Sequence, residues 1–313
     1  MLSRIADSLF WVTRYMERTD SLLRVVRTNY ILSFDVGNSG SYSWKDILST
    51  FTNMDAETIK LNGENTAAAL EYLIADPKNI NSIKVLIVRA RENARGVQDN
   101  ITKEVWEQVN QLYHLINQPD LAKKLKGSKA IEILDLFTQN SVLFYGVTDS
   151  TMPRGQGWNF MNLGKYIERS LLTIEIINSH FGKTNYELSN SQDILYWRNL
   201  LLSLSGYELY LKAYTSGNNS MNIVDHVIAN KNFPRSIYYS IDRIKRYMDQ
   251  ILPDTQIEGS EGLQKQFGRL HSYVKFADLS TKDPKQLQLF LDTTRHDLIE
   301  FSKQLTRIYF SYA

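Results

Sequence analysis

Two carboxylates, each followed directly by an arginine, are the residues best suited to chemistry in this 313-residue chain. They are Glu17-Arg18 and Glu168-Arg169. A carboxylate held out of water can serve as a general acid or base. An arginine beside it offers a planar fork that matches a carboxylate or a phosphate. A cation precedes each glutamate by three residues, Arg14 in the first case and Lys165 in the second. A third cluster reads Arg89-Ala90-Arg91-Glu92-Asn93-Ala94-Arg95. At helical spacing Arg91 and Arg95 share a face, and Glu92 and Asn93 turn toward neighbouring helices. Arg154 stands alone in Met152-Pro153-Arg154. The ligand-binding candidates are therefore Arg14, Glu17, Arg18, Arg91, Glu92, Asn93, Arg95, Arg154, Lys165, Glu168 and Arg169. Two plainer readings compete. Glu17 and Glu168 can pair with Arg18, Arg169 or Arg91 between helices, which fixes register more than it adds stability. Alternatively, the charges only decorate solvated helix faces.

Other chemistries find no support. Without cysteine the chain has no disulfide, thiolate nucleophile or thiolate metal site. His114, His180, His226, His271 and His296 show no paired ligand spacing, so neither metal nor cofactor is expected. No nucleotide-binding glycine loop, serine-hydrolase elbow or zinc-protease signature occurs. Gly155-Gln156-Gly157 is too short for a phosphate loop. A formal net charge of +2, with bases scattered among acids, speaks against nucleic acid, as does the lack of a basic stripe beside the tryptophans. The first residues carry no apolar signal core and no apolar run approaches ~18 residues. A cytoplasmic protein without a membrane span is expected.

The elements that must position these side chains are helices. Apolar residues at Leu2, Ile5, Leu9, Val12, Met16, Leu23, Val26 and Tyr30 alternate three and four apart, with one gap at Thr19. That is a single buried stripe on a long helix, about Ser3 to Ser33, with Glu17 and Arg18 at its flank. The same register returns 151 positions on (17 to 168), at Phe160, Leu163, Ile167, Ile174, Ile177 and Phe181, with Ser170 at the gap. Further correspondences follow in order. Trp44-Lys45-Asp46-Ile47-Leu48 matches Trp197-Arg198-Asn199-Leu200-Leu201, and the run from Asp76 to Ile83 matches Asn230 to Ile237. The Arg91 cluster is the exception, because Lys245-Arg246-Tyr247-Met248-Asp249 stands in its place. The expected fold is all-α: a single compact helical bundle domain over 1–313, built from two duplicated halves (1–150 and 151–313) with pseudo-twofold symmetry. The two Glu-Arg helices are expected as near neighbours.

Between these helices the sequence suggests turns around Asp35 to Gly40 and at Leu252-Pro253-Asp254. Ser43, Asn65 or Thr66, and Ser82 read as helix caps. The helix from Ser82 is expected to reach Ile101. A break is expected at Thr102-Lys103-Glu104, with a short helix over Leu112 to Leu115. Gly146 to Gly157 holds three of the fifteen glycines and one of the six prolines, so it reads as a hinge between the halves.

Several of these pieces together resemble the alpha-E family, an all-helical family named for its Glu-Arg signature. They are Ser3 to Trp11, Arg14-Tyr15-Met16-Glu17-Arg18, Ala90 to Arg95, Trp106-Glu107, Met152-Pro153-Arg154, Gly157 to Phe160, Gly164 to Arg169, and Phe233-Pro234-Arg235-Ser236. The resemblance covers nearly the whole chain. Where the family has Gly-Arg before the first aromatic residue of the signature, this chain has Thr13-Arg14 and Gly164-Lys165. Lysine keeps the charge and loses the bidentate geometry. The resemblance implies no particular reaction. It implies a setting: such proteins are encoded beside, or fused to, ATP-grasp and transglutaminase-like proteins, in what looks like a peptide-forming or peptide-modifying system.

Three functional expectations result. The first is a helical accessory or peptide-binding component, acting in trans with ATP-grasp and transglutaminase-like proteins and binding a peptide or anionic ligand. The second is an all-helical enzyme with an Arg/Glu anion pocket, using Glu17 or Glu168 as general acid or base. The third is a homo-oligomer joined through exposed aromatic patches.

Overall fold

Polar side chains at helix starts set much of the local structure. Ser43 and Asp46 close a reciprocal capping box, and Asn65, Ser82 and Thr102 each accept a first-turn backbone N–H. Each satisfies a donor that the helix itself leaves unpaired. The computed structural model of the protein describes residues 2–34, 43–188, 194–214, 220–251, 259–279 and 283–310. The expected turns at Asp35 to Gly40 and Leu252 to Asp254 lie outside them. Fifteen α-helices and no strand occur among the described residues, so the all-α class stands. None of those helices is long and apolar enough to cross a membrane.

In chain order the helices are α1 (Ser3–Leu32), α2 (Trp44–Phe51), α3 (Ala56–Asn62), α4 (Thr66–Ile74), α5 (Ile83–Gly96), α6 (Lys103–Ile116), α7 (Leu121–Leu125), α8 (Ala130–Thr151), α9 (Gln156–Gly182), α10 (Ile194–Ser203), α11 (Tyr207–Ala213), α12 (Ser220–Val224), α13 (Ile237–Ile251), α14 (Ser260–Lys275) and α15 (Pro284–Tyr309). They form two compact units, one of residues 11–153 and one of residues 1–10 with 154–313.

In the 11–153 unit, α6 packs on α5 and on α8, while α4 touches α2, α5 and α7. Its core holds Leu48, Leu73, Leu86, Ile87, Val109, Leu112, Leu134 and Phe144, all fully buried. In the other unit α9 lies along α13 and α15, and α14 bridges α13 and α15. Leu163, Ile167, Ile174, Ile241, Ile244, Leu298 and Phe301 are buried there. Each such side chain contributes about 1.5–3 kcal/mol. Phe10 and Phe160 meet Phe310 at 5.1 and 5.7 Å between ring centres.

Several local expectations need correction. The stretch read as a hinge, Gly146–Gly157, is helical at both ends and leaves only 152–155 between helices, because α8 runs through Gly146 to Thr151 and α9 starts at Gln156. A helical glycine costs about 1 kcal/mol, less than burying Phe144 and Thr148 on either side returns. Thr148 also donates to the Phe144 carbonyl at 2.6 Å. Pro153, not glycine, marks the stop. The break at Thr102 is a cap, and α6 continues unbroken from Lys103 to Ile116, taking in the expected short helix. The helix from Ser82 ends at Gly96, not Ile101, and a 3₁₀ turn follows (Gln98–Asn100). The short helices α3, α7 and α11 were not foreseen, because five to seven residues are too few to show a period.

Candidate functional site

Helix α1 is buried over far more of its circumference than one stripe. Leu9, Val12, Met16, Leu23 and Val26 are buried as expected, but so are Thr13, Glu17, Thr19, Asp20 and Ser21. Leu2, by contrast, is exposed. Glu17 therefore sits inside the protein and not at a flank. Tyr145 of α8 donates its hydroxyl to the Glu17 carboxylate at 2.7 Å. One turn on, the buried Asp20 accepts from Ser141 of α8 and from Arg24, both at 2.8 Å. Arg27 then pairs with Asp135 of α8. Positions 17, 20, 24 and 27 share one helix face by their three- and four-residue spacing. These contacts form a polar seam between α1 and α8, which the apolar pattern could not reveal.

Arg18 points from the same helix to another partner. It donates to Asn81 Oδ1 at 3.0 Å, in the turn that leads into α5. That turn is held by Asn79, whose Oδ1 accepts the Asn81 N–H at 3.0 Å and whose amide donates to the Tyr72 carbonyl at 3.2 Å. Half-buried on α1, Arg14 lies over the Trp11 ring at 4.7 Å, and Arg89 of α5 reaches Tyr15 at 6.0 Å.

The Arg91 cluster does not join these groups. Arg91 donates to Asn110 of α6 at 2.8 Å and lies over Tyr113 at 4.3 Å and Trp106 at 5.5 Å. It clamps α5 to α6, and its carboxylate partner is Glu92, not Glu17. Glu92 is exposed, and Asn93 donates back to the Arg89 carbonyl of its own helix. The expectation that both turn toward neighbouring helices is therefore corrected. Arg95 does not share the Arg91 environment either: it is exposed and reaches only Glu92, at 4.0 Å. Such a surface pair is worth at most about 1 kcal/mol.

In the second unit Glu168 and Arg169 are also buried. Arg169 donates to the Pro234 carbonyl at 3.4 Å, in the turn leading into α13, and Thr173 reaches the next carbonyl, that of Arg235, at 3.3 Å. Tyr166 stacks on Tyr247 at 6.0 Å and approaches Tyr239 at 6.2 Å. Arg169 and Lys165 lie over its ring at 5.3 and 5.2 Å, and Arg243 lies over Tyr239 at 4.8 Å. Burial raises the Tyr166 phenol well above the ordinary tyrosine value, against the opposing charge of Arg169. Burial raises Tyr247 too. Arg154 covers Trp158 at 3.8 Å. Tyr239 and Arg243 escaped the sequence reading, and Tyr247 entered it only as a counterpart of the Arg91 cluster, although their four-residue spacing places all three on one face of α13.

Thr19 and Ser170, the gap positions of the two stripes, are fully buried, and neither hydroxyl has a hydrogen-bond partner within the described chain. Among the described residues no group of three or more His, Asp or Glu is placed to hold a metal ion.

The family comparison bears directly on these pairs. A family model described as a predicted alpha-helical domain with a conserved ER motif matches residues 1–310. The chain belongs to the Alpha-E family. Glu17-Arg18 and Glu168-Arg169 are its two Glu-Arg dipeptides. Among curated proteins, uncharacterised proteins of Mycobacterium bovis (strain ATCC BAA-935 / AF2122/97) and Mycobacterium tuberculosis (strain CDC 1551 / Oshkosh) are each 20% identical over 264 residues. The alignments cover 77% of this Alpha-E chain and 29% of each relative, so the chain spans under a third of their length. No solved structure matches.

Proposed function

We propose that this chain is a non-catalytic helical binding module made of two related halves. It serves as an accessory or peptide-binding component, in trans, of an ATP-grasp/transglutaminase-like system that forms or modifies peptides. The observation that carries the reading is the fate of the two glutamates. Both are buried, Glu17 is bound by Tyr145, and neither lines the described cavities. A general acid or base must reach the proton it moves, so the enzymatic alternative loses ground. Among the side chains that reach the surface are arginines set on aromatic rings, as in Arg14 on Trp11 and Arg154 on Trp158. Such stacking pre-orients a guanidinium for a carboxylate-bearing peptide at little entropic cost. The much greater length of the mycobacterial relatives suits a module that works with other domains. The two halves are supported by the shared register and by a common device: in each, the arginine of the Glu-Arg pair ties its helix to the turn before a later helix.

Copurification with an ATP-grasp protein tests this reading. A complex at micromolar concentration is expected, weakened about tenfold by Arg14→Glu or Arg154→Glu. No complex at that concentration, or one indifferent to both substitutions, overturns it.

A further inference from the structure

Three tyrosines and an arginine meet at one place within the 154–313 unit. Tyr239, Arg243 and Tyr247 follow one another at four-residue steps along one flank of α13. Tyr166 of α9 joins them, with ring centres 6.2 Å from Tyr239 and 6.0 Å from Tyr247. Tyr166 is 7% exposed, while Tyr239, Arg243 and Tyr247 are half-buried, so the cluster opens to solvent on the α13 side.

The hydroxyls are the unusual part. A tyrosine as buried as Tyr166 ordinarily finds a hydrogen-bond partner. Among the described residues neither its hydroxyl nor that of Tyr247 has one. Arg243 donates to the Tyr239 hydroxyl, which keeps its own proton to donate onward. The Arg243 guanidinium lies over the Tyr239 ring at 4.8 Å and within electrostatic reach of all three phenol oxygens.

The surrounding charge is positive. Arg243 and Arg246 form no ion pair among the described residues. Lys165 and Arg169 lie over the Tyr166 ring at 5.2 and 5.3 Å. The charges that act most strongly on the Tyr166 and Tyr247 phenols are Arg169, Arg243, Arg246 and Arg154, with no carboxylate among them. Elsewhere the pattern reverses: Tyr72, Tyr186, Tyr214 and Tyr238 each sit beside a carboxylate. The acids of α13 occupy its other flank, where Asp249 pairs with Lys245 and Asp242 faces His271.

We propose that the Tyr166, Tyr239 and Tyr247 hydroxyls and the Arg243 guanidinium bind a phosphoryl group, either free phosphate or the phosphate of a monoester. Hydroxyls from two helices and a planar fork approach from several directions. That suits a tetrahedral oxyanion better than a flat carboxylate, which the fork alone would satisfy. Burial keeps the Tyr166 and Tyr247 phenols protonated, so both remain donors. None of these four residues carries the partner-binding reading, so the two proposals can fail separately.

The test titrates the full chain with inorganic phosphate, phenyl phosphate and benzoate by calorimetry at fixed ionic strength. Saturable binding of a phosphate is expected, at about tenfold lower concentration than benzoate. Tighter binding of inorganic phosphate marks the free anion as ligand, and tighter binding of phenyl phosphate marks a monoester. Arg243→Gln should weaken the phosphate about tenfold, and Tyr166→Phe with Tyr247→Phe by about as much. The phenylalanines keep both rings in place, so this pair decides the matter even where Arg243→Gln fails to fold. Lys245→Gln, on the acidic flank, should change affinity by less than about twofold. Absence of saturable phosphate binding, benzoate bound as tightly, affinity unmoved by the paired phenylalanines, or an equal loss with Lys245→Gln overturns the proposal.

Discussion

The two Glu-Arg neighbourhoods use the same dipeptide in different company. Around Glu17-Arg18 the partners are side-chain oxygens: the Tyr145 hydroxyl and the Asn81 amide oxygen, with Asp20 and Ser141 one turn away. Around Glu168-Arg169 the arginine donates to a backbone carbonyl, and the neighbours include three tyrosines and the cations stacked on them. What the two share is the task of the arginine. Arg18 and Arg169 each tie a long helix to the turn before a later one. What differs is the face beside it, polar seam in one case and aromatic in the other. A dipeptide preserved in such different surroundings is best understood through its shared structural work, and any difference in binding must come from the neighbours.

The largest effect that could break this comparison is expected at Glu17. Glu17→Ala removes the carboxylate that the Tyr145 hydroxyl donates to and opens a gap in the core, at a cost of about 3 kcal/mol. Tyr145→Phe leaves the carboxylate short of a donor and costs about 2 kcal/mol. Urea unfolding would read both, and a Glu17→Ala midpoint equal to that of the parent would deny the buried seam. Next comes the latch. A double-mutant cycle of Arg18→Ala with Asn81→Ala should give a coupling of about 1–2 kcal/mol. Side-chain truncation in the 233–235 turn should couple more weakly to Arg169→Ala, since the acceptor that turn offers Arg169 is a main-chain oxygen. A strong coupling to Arg235→Ala would place the two latches in different classes.

The aromatic side of the comparison is sharpened by pH. The Tyr166 and Tyr247 phenols are raised in the folded state, so the unfolded chain loses their protons first. Their contribution is whole below about pH 10 and is lost as pH climbs from there toward the folded values. Tyr166→Phe should therefore lessen the fall in stability above pH 10, as followed by circular dichroism. An unchanged alkaline limb would show that this phenol is not buried as described. The smallest effect is expected at the gap positions. Thr19→Val and Ser170→Ala each remove a buried hydroxyl without a partner, and should leave the unfolding midpoint unchanged or raise stability by up to about 1 kcal/mol. A loss at one position and a gain at the other would separate the two helices.

The sequence alone determined the helical class and the cores of the two long helices, because burial of an apolar face writes a three-and-four spacing into the chain. Leu9, Val12, Met16, Leu163, Ile167 and Ile174 are all buried where that spacing put them. Caps at Ser43 and Ser82 were equally legible, since they depend on a few adjacent residues. The roles of the charged residues were not. Arg91 was grouped with Glu17 by type, yet it serves α6, and Glu92 and Arg95 face outward. By pattern Glu17 lies at the flank of the stripe and Asp20 gives no signal at all, yet both are buried, met by Tyr145 and Ser141 from more than a hundred residues away. Only the tertiary structure could decide that. A buried carboxylate is tolerated where donors from another helix replace water, and the partner's position along the chain leaves no trace in local periodicity.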